Sequence, residues 1–250
     1  MKISVIIPNF NDLRIKRAID SVKQQTYKNI ELIVVDGNSS NEDLLTYYKE
    51  CSADKVVIEK DNGIFDALNK GLKLATGEII YLLGSDDKLS GPGVVQDVVD
   101  KFSRQSGIDG VCIGCEFINV EGKVIRTWYP ISVSSTRIKW GIFPPHFSLF
   151  LKRNLYDLVG EFKYKEFNNI ACDTVWLLDL AVKKADLNIP VLNRHHLKME
   201  YGGASTGSAG AVSRQFKVVA NYAKRNATNL PVWFLLSPIR TFSKVFQFKF

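Results

Sequence analysis

Short apolar runs alternate with amphipathic stretches through the first hundred residues. Residues 3–7 form a β-branched run ended by Pro8, the pattern of a buried strand. Asp12 stands where it can cap a helix whose apolar positions Ile15, Ala18, Ile19 and Val22 recur at i, i+3, i+4 and i+7. Residues 31–35 predict a second buried strand, stopped by the turn-forming Asp36-Gly37-Asn38-Ser39-Ser40. The pattern then predicts a helix over 42–50, a strand over 55–58 and a helix over 64–75 that stops at Thr76-Gly77. A fourth strand over 78–83 halts at Gly84-Ser85-Asp86-Asp87, and Pro92 fits the first turn of the helix after it. Strands and helices alternating at this spacing predict a parallel sheet covered by helices on both faces.

The second half is less regular. Residues 110–119 and 123–128 meet at Glu121-Gly122 and read as a hairpin. A helix over 174–184 is the clearest element between 138 and 185. Residues 202–210 are glycine- and serine-rich and read as a flexible loop. A helix over 212–224 and an aromatic, basic stretch from Leu230 complete the chain. We expect two parts, a globular α/β body over 1–205 and a basic C-terminal extension over 206–250.

Charge supports that division. The net charge is +7, yet residues 1–200 balance to zero, and seven cations with no acid lie beyond Glu200. Hydrophobic residues at 46% and charged residues at 24% exclude a disordered or collagenous chain. Four cysteines in 250 residues are too few for a disulfide framework and point to a reducing, cytoplasmic setting. Cys112 and Cys115 have redox or zinc spacing but no second pair, so buried thiols are the better reading. The N-terminus lacks a signal-peptide core, and no apolar run approaches the roughly 20 residues of a membrane span. A soluble or membrane-peripheral protein is expected.

In an open parallel sheet, ligands bind beyond the carboxyl ends of the strands. Those ends carry Pro8-Asn9-Phe10-Asn11-Asp12, Asp36-Gly37-Asn38-Ser39, Glu59-Lys60-Asp61-Asn62-Gly63 and Ser85-Asp86-Asp87. Each alone is an ordinary turn, but four on one edge favour a polar-ligand site. Asp86-Asp87 is either a solvated turn or a pair of carboxylates held by a divalent cation and a diphosphate. There is no Gly-x-Gly-x-x-Gly after the first strand and no phosphate-binding P-loop, which argues against dehydrogenases and P-loop NTPases.

Several ordered motifs resemble one family. They are Val5-Ile6-Ile7-Pro8-Asn9-Phe10-Asn11, the stretch from Ser21 to Gly37, Asp61-Asn62-Gly63 through Gly71, Ala75-Thr76-Gly77-Glu78, and Ser85-Asp86-Asp87. Together they are similar to glycosyltransferase family 2, inverting enzymes of the GT-A fold, a Rossmann-like, mostly parallel sheet flanked by helices. The subset resembled builds bacterial O-antigen and other surface polysaccharides. The likeness is dense over about the first 90 residues and continues loosely to about 205.

The resemblance implies a nucleoside-diphosphate-sugar donor, with UDP-sugars first. Pro8 and Asn11 would shape the nucleotide pocket, and Asp36 would meet the base. Asp61 and Asp66 would line the nucleotide-sugar site. Asp86 would hold the ribose or the metal shell, and Asp87 would bind Mg²⁺ or Mn²⁺ across the diphosphate. Asp173 matches the family's general base; read by itself it is equally a helix N-terminal acid. His146 would lie near the acceptor or the diphosphate, against the plainer reading of a structural hydrogen-bonder. His195-His196 offers a third metal ligand or a polar strand end, and the loop from Tyr201 is a candidate lid. Two departures are Gly37, where the family often has a second acid, and Asp179, where many members carry arginine.

The tail mixes aromatics with cations, which suits an anionic membrane surface and a lipid-linked acceptor such as a polyprenyl-diphosphate glycan. Packing on the body is the alternative. No nucleic-acid-binding motif accompanies the charge. A nucleotide-sugar-binding scaffold recruited to the membrane and a sugar-1-phosphate nucleotidyltransferase remain competing functions. The nucleotidyltransferase would need a glycine-rich, arginine-containing loop after the first strand, which Asn9-Phe10-Asn11 does not supply. The expected location is the inner face of the cell membrane.

Overall fold

The computed structural model describes residues 1–200, 217–222 and 225–226. Its strands are β1 (Ile3–Asn9), β2 (Ile30–Asp36), β3 (Lys55–Ile58), β4 (Ile79–Leu82), β5 (Lys88–Leu89), β6 (Gly110–Ile118), β7 (Val124–Trp128), β8 (Leu149–Lys152) and β9 (Val191–Glu200). The helices are α1 (Ile15–Lys23), α2 (Glu42–Glu50), α3 (Ile64–Leu74), α4 (Val94–Arg104), α5 (Ser135–Lys139), α6 (Arg153–Val159), α7 (Tyr164–Phe167) and α8 (Cys172–Lys183). All described strands join one sheet in the order β3-β2-β1-β4-β8-β6-β9-β5, with β7 paired to β6.

The expected parallel sheet is present in β3-β2-β1-β4. Beyond β4 the sheet is mixed, because β8 runs antiparallel to both β4 and β6 while β9 runs parallel to β6. The β6–β7 hairpin forms as the turn at Glu121-Gly122 implies. Strand alternation feeds two apolar layers. Ile3, Val5 and Ile7 of β1 pack with Ile15 and Ile19 of α1 and with Val95 and Val98 of α4. Ile6 faces the other way, among Leu68 of α3 and the α6–α8 residues Leu155, Tyr156 and Trp176. Both faces are buried, which is why the parallel strands read as continuous apolar runs.

Several local expectations change. The strand β1 runs through Pro8 to Asn9, two residues past the expected stop. Ile6 and Pro8 point their backbone groups toward β4, but pairing with β4 ends at the Ile6–Leu82 register. Pro8 therefore lacks an N–H where no strand remains to accept it. Asp12 does not cap α1: Arg14 is the first flanking residue, and the Asp12 carboxylate takes the Arg14 N–H and its guanidinium instead. The strand β9 escaped the hydrophobic pattern because Asn193 to His196 interrupt its apolar residues and its register with β6 shifts twice near Gly114. Of the expected 212–224 helix, residues 217–222 are helical, and Val219, Ala220 and Tyr222 are buried in the body's core. Tyr222 donates its hydroxyl to Asp179 of α8, whose other oxygen takes Lys163 Nζ at 2.9 Å. The Tyr201–Ser205 loop and the aromatic stretch from Leu230 lie outside the described residues.

Glu31 ties the far ends of the parallel strands together. Its side chain is almost fully buried and accepts from Ser4 Oγ (2.5 Å), the Thr76 N–H (2.7 Å), Thr76 Oγ1 (2.8 Å), Lys55 Nζ (3.1 Å) and Lys2 Nζ (3.2 Å). Burial alone would raise its pKa, but the bonds from Ser4, Thr76 and Lys55 outweigh it and hold the carboxyl well below the usual range. Because the folded value is depressed, this stabilisation is complete above the ordinary carboxylate range and is lost as pH falls below it. Glu31→Gln should lower unfolding free energy by about 3 kcal/mol at pH 7. Urea unfolding at pH 7 and pH 3 checks both statements: the variant starts lower and loses less on acidification than the wild type.

Candidate functional site

Strand order reverses between β1 and β4: the chain passes from β1 outward to β2 and β3, then returns to the other side of β1. Such a switch point leaves a crevice beyond the carboxyl ends of the strands. Here the crevice opens where β4 ends and Pro8 continues alone.

On the α3 side lies a cleft of about 280 Å³, lined by Pro8, Asn9, Phe10, Asp61, Gly63, Ile64 and Ala67. Its walls are loops locked to one another. Asn11, at φ 51°, gives its N–H to Ser39 Oγ (2.7 Å), and its side-chain oxygen takes the Ser40 N–H (2.9 Å). Asp36 is 0% exposed and accepts from the Ser39 N–H and hydroxyl, Tyr48 Oη and Asn9 Nδ2 at 2.6–3.2 Å. Sealed in this way, Asp36 is an organiser of the loops, and the carboxylate that lines the cleft is Asp61. Asp61 takes the Gly63 N–H at 2.9 Å. Its other oxygen lies 2.6 Å from where a Cβ on Gly37 would sit, so Asp61 fills the space beside the position that lacks the family's frequent second acid. Asp66 turns back to accept the Asn62 N–H (2.9 Å) and Asn62 Nδ2 (3.0 Å). Burial opposes these bonds but does not cancel them, and its pKa is lowered.

The Asp86–Asp87 pair follows the end of β4. Asp87 Oδ2 and Asp86 Oδ1 lie 2.8 and 2.9 Å from the same point, the place a Gly84 Cβ would occupy, so both carboxylates lean over bare backbone. Asp87 is 3% exposed. Burial, reinforced by the Asp86 charge, pushes its pKa well up, and burial likewise raises that of Asp86. The Glu200 N–H and the Arg14 charge pull Asp87 the other way without compensating. Arg14 is already committed to Asp12 (2.6 Å) and Glu200 (2.5 Å), and Arg17 to Glu200 (2.8 Å). Among the described residues no group of three or more His, Cys, Asp or Glu side chains could hold a metal by itself. Two desolvated carboxylates without a cation fit a hard divalent ion that takes its remaining ligands from phosphate and water. His196 is turned elsewhere, with Nε2 2.9 Å from Asp97 of α4.

Asp173 stands in the first turn of α8, half-buried, and accepts the Thr174 N–H at 2.7 Å. The lead-in loop is strained: Asn168, Asn169 and Ala171 have φ of 48°, 58° and 53°. Asn169 Nδ2 donates to the Asn62 carbonyl at 2.6 Å, and a Cβ on Gly63 (φ 107°) would collide with the Asn169 amide. This contact binds the approach to α8 onto the Asp61–Gly63 loop, four residues before Asp173. His146 is 4% exposed, boxed by Tyr156, Phe162 and Trp176, with Nε2 3.3 Å from Tyr156 Oη. Burial drives its imidazole down to about 4, against a smaller upward pull from the Asp173 backbone. It stands behind Asp173 as a neutral wall residue. Sequence pattern alone singles out neither Arg14, Arg17 and Glu200 nor Asn169. Their only signal is spacing to residues distant in the chain.

Fold and site together define an α/β protein of the GT-A type with a cleft and acidic pair at the sheet's switch point. The chain belongs to glycosyl transferase family 2, whose match runs over residues 4–160. It is 37% identical over 130 residues to an uncharacterized glycosyltransferase of Nostoc sp., covering 50% of this chain and 40% of that one. Over 178 residues it is 29% identical to a PGL/p-HBAD biosynthesis glycosyltransferase of Mycobacterium bovis, covering 65% and 63%. The chain thus spans about half the length of the curated relatives it matches. Among solved structures it resembles S. aureus TarS 1-349 in complex with UDP-GlcNAc (TM-score 0.65, 18% identity, 89% of this chain and 66% of that one). It also resembles the mannosyltransferase PcManGT of Pyrobaculum calidifontis in complex with GDP-Man and Mn²⁺ (TM-score 0.62, 16% identity, 93% and 68%).

The acidic pair has a consequence for the metal-free protein. A carboxyl whose folded pKa is raised costs stability as pH rises above its unfolded value. Asp87→Asn should therefore stabilise the protein in chelator-containing buffer, by about 1–2 kcal/mol at pH 8 and by less at pH 4. Thermal unfolding at the two pH values tests this; a loss of stability at both would refute it.

Proposed function

We propose that the chain is an inverting glycosyltransferase, moving a sugar from a nucleoside-diphosphate donor to a hydroxyl of a glycan or lipid-linked glycan. The observation that carries this reading is the desolvated Asp86–Asp87 pair beside a cleft lined by Asp61 at the sheet's switch point. Family membership supports it, as do relatives whose names or bound ligands are glycosyltransferases, UDP-GlcNAc, and GDP-Man with Mn²⁺.

In this reading the base and ribose lie in the cleft between Pro8, Phe10 and Asp61, with Asn11 and Asp36 keeping its loops in register. Asp66 holds the Asn62 turn at its rim. Asp87, with Asp86 beside it, would hold Mg²⁺ or Mn²⁺, which would supply positive charge against the departing diphosphate. The acceptor hydroxyl gives its proton to an Asp173 carboxylate oxygen as its own oxygen bonds to the anomeric carbon. The bond from that carbon to the diphosphate oxygen breaks on the opposite face, and the nucleoside diphosphate leaves with the electron pair. A bacterial surface polysaccharide and a polyprenyl-diphosphate-linked acceptor agree with the resemblance. Since Val219, Ala220 and Tyr222 belong to the body's core, the membrane-facing part at the inner surface would be the aromatic, basic stretch from Leu230, with Arg240, Lys244 and Lys249.

A thermal-shift screen of UDP-, GDP- and dTDP-sugars with and without Mn²⁺ identifies the donor, because a ligand of the folded state raises apparent stability. With that donor, Asp87→Asn should abolish the Mn²⁺-dependent shift. Asp173→Asn should slow transfer by roughly two to four orders of magnitude while leaving donor affinity near normal. If donor affinity collapses in Asp173→Asn, that residue binds rather than catalyses.

A further inference from the structure

The departure at Asp179 has a partner beyond the first 200 residues. Tyr222, on the helical residues 217–222, is 5% exposed and donates its hydroxyl to Asp179 Oδ1. Lys163 Nζ bonds Asp179 Oδ2 at 2.9 Å and the Tyr222 hydroxyl at 3.2 Å, and it lies 5.1 Å from the centre of the Tyr222 ring. That ring meets Phe167 edge to face, with centroids 5.6 Å apart. Lys163 immediately precedes α7 and Phe167 is its last residue, so one tyrosine touches both ends of this helix. Support of this kind matters there, because none of the four α7 residues is buried. Just before α7, Asn69 of α3 grips the Phe162 backbone with bonds of 2.8 and 2.9 Å. Just after it come the positive-φ residues Asn168, Asn169 and Ala171, which lead into Asp173. The same stretch meets the 61–66 segment, where Tyr164 faces the Asp66 carboxylate and Asn169 Nδ2 holds the Asn62 carbonyl at 2.6 Å.

We infer that Tyr222 is a positioning residue for sugar transfer: its hydroxyl ties α7 to α8 and so sets where Asp173 stands relative to the 61–66 segment. The inference rests on the reading of Asp173 as the base. Asp173 and Asp179 share α8, about 9 Å apart along its axis. The chain from Phe162 to Asp173 is a strap anchored on α3 at one end and at the buried Cys172 at the other. Between those anchors Asn169 ties it to Asn62, and Tyr222 ties it to α8. A general base works only within hydrogen-bond reach of the proton it takes, and a misplacement of about 1 Å can cost a hundredfold in rate. Tyr222 does not line the cleft, so its contribution falls on the transfer step and not on donor binding. Asp179, which departs from the arginine many family members carry, is the acceptor that makes the contact possible. Residues 217–222 thereby belong to the transfer machinery of the body.

The test compares the full chain with Tyr222→Phe, which keeps the ring against Phe167, and with Lys163→Gln at a partly exposed position. Hydrogen exchange read by mass spectrometry, without donor, should quicken about tenfold at amides 163–173 of Tyr222→Phe while β1–β4 keep wild-type protection. With the donor that the thermal-shift screen identifies, kcat should fall about tenfold and the donor KM stay within about twofold of the wild type. Lys163→Gln should move both readouts in the same direction by less. Unchanged exchange at 163–173, exchange quickened throughout the chain, or an unchanged kcat overturns the inference. So does a raised donor KM at constant kcat, which would give the contact to donor binding. Each of those results strikes this inference alone, in a wild type that transfers sugar. A wild type that transfers from none of the donors defeats the glycosyltransferase reading itself, and the role in transfer with it.

Discussion

Everything at the site depends on β1 outrunning β4. β1 pairs with β2 along its whole length, whereas its pairing with β4 stops at Ile6. The remaining residues of β1 keep a partner on one side only, and a proline is tolerated in what is otherwise the middle of a sheet. On the α3 side this leaves the cleft that Pro8, Phe10 and Asp61 line, and the turn that carries Gly84, Asp86 and Asp87 follows the end of β4. A longer β4 would close the gap and pair away the backbone that the acidic turn requires.

Two kinds of stability act on the two ends of the parallel strands. At one end Glu31 is a charge surrounded by donors, and burial is offset several times over. At the other, Asp86 and Asp87 are charges surrounded by too few, and burial is left uncompensated. Buried carboxylates are thus fully matched by donors in one place and left short of them in the other. The difference lies in the count of donors.

The parallel half of the fold was legible because each of its strands is buried on both faces and each ends in turn-forming residues. The mixed half was not. β9 carries polar residues at its centre and changes register against β6, so no period survives in its sequence. The acidic pair was legible as two adjacent residues at a strand end. The partners of Asp87 were not, since Glu200 and Arg14 lie far from it in the chain. Asp36 shows a further limit: an acid at a strand end reads as a ligand contact until its donors are known, and here all of them are internal.

The meeting of Gly37 with Asp61 reaches beyond this chain. One carboxylate occupies a space that two different loops are able to supply, and the backbone leaves room for one supplier at a time. Loops after β2 and β3 are therefore not free to diverge independently. An acid gained at 37 would have to be matched by a smaller residue at 61, and the reverse. The shape of this wall of the cleft is therefore a property of two positions together, and a side chain added at one is accommodated only by a substitution at the other.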